Sequence, residues 1–357
     1  MIIPLLRSNL SLKTNHKEFV FPSKDTNLLG DARRKFQERS LKVSLNSDHD
    51  LINQLFEGNV AHIEGVFFPK SSNFETDLIK EVIKDLILNP QSVEIIKKSP
   101  DVPKTILKYK AVNYELYPLL EKVKWDMIHL TTEELDEYLK RFYFKNAVSM
   151  SSCPIYEIPN CSNQEKAYLY KDLHDGEKAA IGVYKGYGIV LNAFLRDELY
   201  YQNADELLIH VAVLASALNK IPPSVDSYLY RSLRDHKNEG QMGLVEKISY
   251  KLKKHEKFKE KGFTSCSLYK PLKGFLGFSS ENRCVKIYKN VSGLAKDISG
   301  IGAYADEFEC LFLPNTKDLA LREIVYENNP NALSMTMAKN KTHIFITKLV
   351  SKRLGVI

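Results

Sequence analysis

Cysteine is scarce. The 357 residues hold five, at 153, 161, 266, 284 and 310, with neither the paired spacing of a disulfide framework nor the close pairs of a metal site. That excludes a disulfide-stapled scaffold, and the odd, scattered count suits work in a reducing compartment. The nine histidines are spread along the chain, and none forms a pair that merits a metal assignment, so no metal is expected. No Gly-x-Gly-x-x-Gly opens a helix after a strand, which excludes dinucleotide binding of the Rossmann kind. Long apolar runs are also missing. The best, 207–218, is interrupted and too short to cross a bilayer, so no transmembrane segment is expected. The start, Met1-Ile2-Ile3-Pro4-Leu5-Leu6-Arg7, is apolar for a few residues only and lacks a small-residue cleavage site, unlike a conventional secretory signal.

What is present is an ordinary globular composition, 44% hydrophobic and 27% charged, and the length predicts two domains. The formal charge is +7, and much of the excess lies in 247–261, where Lys-Leu-Lys-Lys-His-Glu-Lys-Phe-Lys-Glu-Lys follows Tyr250. Charge alone would suit nucleic acid or an anionic membrane. A solvated helix face accounts for it more simply, and the segment could also meet an acidic protein. No nucleic acid is expected, because no recognition motif accompanies the charge.

Along the chain, residues 1–60 read as loops and short helices, and 61–69 as a short strand or buried turn. Apolar residues at three- and four-residue spacing predict helices over 74–88 and 114–130. Thr131-Thr132-Glu133-Glu134 is a capping box for a third helix. Two prolines among Ser and Asn mark 150–165 as a linker zone. The expected division is a mainly helical domain over 1–155, a linker over 156–163 and a second domain over 164–357. In that second part helices are expected at 164–171, 175–184, 189–199 and 204–218. Strands follow at 225–233, 262–268, 283–288, 307–313, 321–328 and 342–349. Helices first and strands later predicts an α+β fold.

The most informative stretch is Tyr304-Ala305-Asp306-Glu307-Phe308-Glu309-Cys310-Leu311-Phe312-Leu313. A strand starting near Phe308 holds Glu309 rigidly and leaves Glu307 in an adjustable loop, two carboxylates aimed into one space. Upstream stand Tyr230-Arg231-Ser232 and Gly262-Phe263-Thr264-Ser265-Cys266-Ser267. Arg231, Ser265-x-Ser267 and Glu307-x-Glu309, in that order, resemble the Arg/Ser-Thr-Ser/Glu-x-Glu signature of the mono-ADP-ribosyltransferases. The stretch from Glu177 through Tyr184, Tyr187 and Asn192 to Arg196 is similar to that family's opening helices. The resemblance spans about 165–353.

The resemblance implies two packed, mostly antiparallel sheets with flanking helices. It implies NAD as substrate and transfer of ADP-ribose to a protein side chain through an oxocarbenium-like transition state. Arg231 is then the clamp on the NAD phosphates, with Arg234 a weaker candidate. Glu309 steadies the sugar cation and its 2′-hydroxyl, Ser265 orients Glu309, and Ser267 packs within the strand. Tyr184, Tyr187 and Asn192 line the cofactor wall, with either tyrosine able to serve. Phe275 and Phe278 fall in the loop that would meet nicotinamide, and Tyr304 tips the loop that would recognise the target. Glu307 would position and deprotonate the acceptor, and a glutamate there implies arginine. Cys266 stands where the family more often has Thr; a small inward-facing residue fits better than a nucleophile. The whole implies a secreted bacterial effector acting on a protein in the host cytoplasm, with NAD hydrolysis as a side activity. A silent copy of the fold that grips a partner through the basic segment is the alternative.

Overall fold

The computed structural model describes residues 11–14, 17–20, 73–96, 104–143, 153–161, 163–198, 203–224, 228–234, 243–268, 283–289, 294–302, 308–327 and 341–349. The chain divides into two compact units, Met1–Leu119 and Leu120–Ile357.

In the first unit, β1 (Ser11–Thr14) pairs antiparallel with β2 (Lys17–Val20), within a stretch whose sequence reads as loops and short helices. Helix α1 (Phe74–Leu88) has the limits its apolar period predicts, stopped by Asn89 and Pro90. It buries Ile79, Val82, Ile83, Leu86 and Ile87 along one face. Strands β3 (Val93–Ile96), β4 (Ile106–Tyr109) and β5 (Val112–Glu115) form an antiparallel meander. Tyr109 ties the meander to α1 by donating its hydroxyl to Asp85 at 2.7 Å. The expected helix over 114–130 does not form. In its place β5 leads into a short helix, α2 (Leu116–Leu120), and one 3-10 turn at Trp125–Met127. The start of this stretch is claimed by the β4–β5 hairpin, at whose turn Lys110 and Ala111 take φ of 48° and 64°. Both central residues are left-handed, as a tight hairpin requires.

In the second unit, α3 (Thr132–Phe142) starts at the expected capping box, in which Glu134 N–H donates to Thr131 Oγ1 and Thr131 N–H to Glu134 Oε2. The segment 153–161 has no regular structure but is docked: Ile155 bridges Tyr143, and Cys161 bridges Ile301. After a 3-10 helix at Gln164–Tyr170 comes α4 (Asp175–Arg196), built of two helical pieces as the sequence suggested. The pieces meet at a kink at Tyr187, whose φ of −124° and ψ of 16° lie outside the helical region. Helix α5 (Ala204–Lys220) is apolar on nearly every side and almost wholly buried. Glu177 joins the two helices, accepting hydrogen bonds from Ser216 Oγ at 2.7 Å and Lys220 Nζ at 2.8 Å.

The strands follow: β6 (Tyr228–Arg234), then α6 (Leu244–Lys253), β7 (Phe258–Glu260), β8 (Thr264–Ser267), β9 (Arg283–Lys289), β10 (Lys296–Asp297), β11 (Glu309–Phe312), β12 (Thr316–Glu327) and β13 (Lys341–Leu349). They lie in the order β10-β11-β8-β6-β9-β13-β12-β7, antiparallel except for β9 beside β13. Between β8 and β6 the register is a single residue pair, Ser267 with Tyr230. Two sheets thus meet at one bridge, β10-β11-β8 on one side and β6-β9-β13-β12-β7 on the other. An apolar cluster spans that junction: Leu229, Tyr288 and Leu349 from one sheet with Cys266, Cys310 and Phe312 from the other. Among the described residues, no helix is long and apolar enough to cross a membrane.

Candidate active site

Strand β11 begins at Glu309, and all four of its residues are buried. The residue before it, Phe308, has φ of 46°, a left-handed backbone that a bulky side chain seldom adopts and that tends to mark functional sites. Leu268 N–H donates to the Phe308 carbonyl at 3.0 Å, so the turn is pinned where β8 ends.

Opposite Glu309 in the ladder stands Ser267, with Ser265 the diagonal neighbour on the same face. It is Ser265 that reaches the carboxylate: its Oγ donates to Glu309 Oε1 at 2.5 Å. Such a charge-assisted bond is short and directional, and it fixes the carboxylate's rotamer.

Arg231 projects from β6, with 15% of its side chain exposed. Burial works against its charge. Glu260, with the nearby Tyr288, Cys266 and Tyr184, outweighs burial and holds the guanidinium protonated. The Arg231 Nη1 atom lies 3.5 Å from Glu260 Oε1, yet is buried without a hydrogen-bond partner.

Tyr184 and Cys266 connect the two halves. Burial pushes the Tyr184 hydroxyl well above its ordinary pKa; Glu309 adds to the rise while Arg231 opposes it. The buried Cys266 thiol responds to the same two charges and is pushed up to about 12 by its burial. Arg231 and Glu309 therefore share a neighbourhood although far apart in sequence. At neutral pH the Cys266 thiol stays protonated, which removes a nucleophilic role and leaves the small inward-facing one.

Asn192 donates its amide to the Tyr184 hydroxyl at 3.3 Å, while its Oδ1 is buried without a partner. Gly262 makes this approach possible, since a Cβ there would lie 2.6 Å from Asn192 Oδ1. Tyr187, at the kink, hydrogen-bonds Tyr156 instead. Of the two candidate tyrosines, the one beside Arg231 and Glu309 is Tyr184. An open guanidinium N–H and an open amide oxygen in one neighbourhood suit a ligand carrying both phosphate and hydrogen-bond donors.

The chain leading to the second glutamate is anchored at its base. Lys166 donates to Asp297 Oδ2 and to Ser299 Oγ, each at 2.7 Å, and Gly300 N–H donates to the Tyr170 hydroxyl at 3.1 Å. Glu307, Tyr304, Phe275 and Phe278 lie outside the described residues, as does the side chain of Arg234, whose backbone ends β6. Among the described residues, no group of three His, Cys, Asp or Glu side chains is placed to hold a metal ion.

The sequence reading missed three charges: Glu260, Lys286 and Asp318. Lys286 is 0% exposed and Asp318 2%, and their charged atoms lie 2.9 Å apart. Each sits in a strand whose alternation could equally have placed it outward.

Comparison with curated proteins gives no match. Among solved structures, the chain is similar to Plx2a, an ADP-ribosyltransferase toxin from Paenibacillus larvae (17% identity, 53% of this chain and 93% of that one, TM-score 0.41). It is similar also to BECa, an ADP-ribosylating toxin of a C. perfringens binary enterotoxin (21%, 53% and 46%, 0.41). A third is the ADP-ribosyltransferase HopU1 of Pseudomonas syringae pv. Tomato (16%, 63% and 100%, 0.43). The matched part thus spans about half of BECa's length. The family model for ADP-ribosyltransferase exoenzymes matches residues 161–353, more than half of the chain. The chain belongs to the ADP-ribosyltransferase exoenzyme family, whose chemistry is NAD-dependent transfer of ADP-ribose.

Proposed function

We propose that the second unit transfers ADP-ribose from NAD to an arginine side chain of a target protein, with water as a slower acceptor. When bound, NAD supplies the ADP-ribosyl group and gives up nicotinamide. Arg231 offers its open N–H to the pyrophosphate; a guanidinium suits a phosphate better than an ammonium because its donors are forked and fixed. The partnerless Asn192 Oδ1 accepts from a ligand hydroxyl or amide beside Tyr184. Glu309 lies where positive charge develops on the sugar, and Ser265 holds it there, so little reorganisation is needed during the reaction. Glu307 and Tyr304 serve the acceptor side. An arginine guanidinium is too basic to shed its proton in bulk water, so Glu307 positions it and takes the proton.

The observation that carries this reading is the 2.5 Å bond from Ser265 to Glu309, in the same neighbourhood as an arginine with an unused donor. A surface Glu-x-Glu would have no reason to be fixed from a neighbouring strand. The setting is that of a secreted effector working in a host cytoplasm, in keeping with five cysteines of which none is paired in a disulfide.

The test is to incubate the purified chain with NAD and host lysate, measuring nicotinamide release and label on protein separately, and to sequence the modified peptide. Glu309→Ala is expected to abolish both activities. Glu307→Gln is expected to abolish transfer while leaving hydrolysis. Equal loss of both in the Glu307 variant would end the division of labour, and a modified residue other than arginine would end the acceptor assignment.

A further inference from the structure

Glu260, already met as the counter-charge of Arg231, has a second cationic neighbour, the fully buried Lys286. Strand β7, which carries Glu260, lies at the far end of the sheet from β6: β9, β13 and β12 intervene. Side chains from the two strands nevertheless meet: Glu260 Oε1 lies 3.5 Å from Arg231 Nη1 and 3.4 Å from Lys286 Nζ. Lys286 is gripped in turn by Asp318 Oδ2 at 2.9 Å, and its ammonium sits 4.1 Å over the Phe258 ring. The Tyr288 hydroxyl also donates to Asp318, at 3.3 Å. Two cations and two anions are thus largely removed from water, an arrangement that well-packed apolar side chains often match in stability. Stability alone does not explain the cluster.

Its geometry does. A carboxylate beside a lone arginine closes into a forked pair and takes up two of its donors. Here one Glu260 oxygen is shared between two cations, accepting a long 3.4 Å hydrogen bond from Lys286 and lying 3.5 Å from Arg231 Nη1. Arg231 keeps a counter-charge and a fixed direction, and Nη1 stays unbonded. The Lys286 ammonium that shares Glu260 is itself bonded to Asp318.

We propose that Glu260 and Lys286 are positioning residues that set how strongly Arg231 holds an anionic ligand, Glu260 competing with the ligand for the guanidinium and Lys286 restraining that competition. This rests on the reading of Arg231 as the pyrophosphate clamp. It predicts opposite effects from removing the two partners. Without the Glu260 charge the ligand has no rival, whereas without Lys286 the carboxylate is free to close on Arg231.

The measurement is the calorimetric Kd of the full chain for NAD and for inorganic pyrophosphate, in a Glu309→Ala background that slows turnover, with Tm recorded for each variant. Glu260→Gln is expected to tighten both ligands about fivefold, and Lys286→Met to weaken both by a similar factor. If the single Lys286 variant does not fold, Lys286→Met with Asp318→Asn removes the buried carboxylate that would lack its cation, and the same weakening is expected. A purely structural role would lower Tm in both variants and leave both Kd values alone. That result, or a shift in the same direction for both, overturns the proposal provided Arg231→Lys weakens binding. If Arg231→Lys leaves Kd unchanged, the pyrophosphate reading fails, and the proposal with it.

Discussion

His210 makes the second unit sensitive to acid, by an amount the structure supplies. It lies fully buried on α5, shares a 2.9 Å hydrogen bond through Nδ1 with the Tyr138 hydroxyl, packs 4.7 Å from the Phe142 ring, and has no partner at Nε2. Burial, with the charge of Arg141 behind it, pushes its imidazole down to about 3, from an ordinary 6.5. The sign follows: the folded pKa is depressed, so the stability is present above 6.5. It is lost as pH falls from there toward 3, because the unfolded chain takes up a proton that the folded chain refuses. The slope is about 1.4 kcal/mol per pH unit, so going from pH 7.5 to 4.5 costs about 2.7 kcal/mol. For a unit of this size that is a fall in Tm of roughly 5–10 °C. The assay is calorimetry of the wild type and of His210→Gln, an uncharged variant whose amide can still meet Tyr138, across that pH range. The variant is expected to be less stable at pH 7.5 and to lose distinctly less on acidification. Parallel curves for the two proteins would refute the argument, because the difference between them isolates one titrating group.

Other outcomes follow from single contacts. Glu309→Ala is expected to slow nicotinamide release about 100-fold or more, the usual cost of removing a preorganised charge. Gly262→Ala pushes a methyl against Asn192 Oδ1 and is expected to weaken NAD binding several-fold with little change in Tm, since the amide can turn away; unchanged binding would take Asn192 out of the site. Cys266→Ala is expected to keep most of the activity, and the native thiol to resist iodoacetamide at pH 8, because its pKa is pushed up to about 12; loss of catalysis in a folded variant would reopen a nucleophilic role. Thr131→Ala breaks the capping box of α3 and is expected to cost about 1 kcal/mol, a drop of roughly 2–4 °C in Tm.

The sequence is legible where one local rule decides the outcome. Helix α1 is bounded by its own apolar period and by Pro90, and α3 by its capping box. The order of Arg231, Ser265 and Glu309 is visible because strand chemistry recurs with distinct residue types. What escapes is decided at a distance or by unusual backbone. The β4–β5 hairpin turns on Lys110 and Ala111, neither of which advertises a left-handed conformation. Strands β7 and β10 span only three and two residues, too few to show alternation. Glu260, Lys286 and Asp318 carry the charge of surface residues, and their burial becomes visible only when four strands bring them together.

Among the described residues β6 and β8 share one backbone pairing, Tyr230 with Ser267, and this bears on how the distance between guanidinium and acid is maintained. With so short a ladder between these two strands, the spacing also rests on the apolar side chains packed across them, Phe312 and Leu349 among them. Trimming one of those apolar contacts alters the gap as surely as touching a charge. Turnover in this enzyme thereby becomes a gauge of how well its interior is filled.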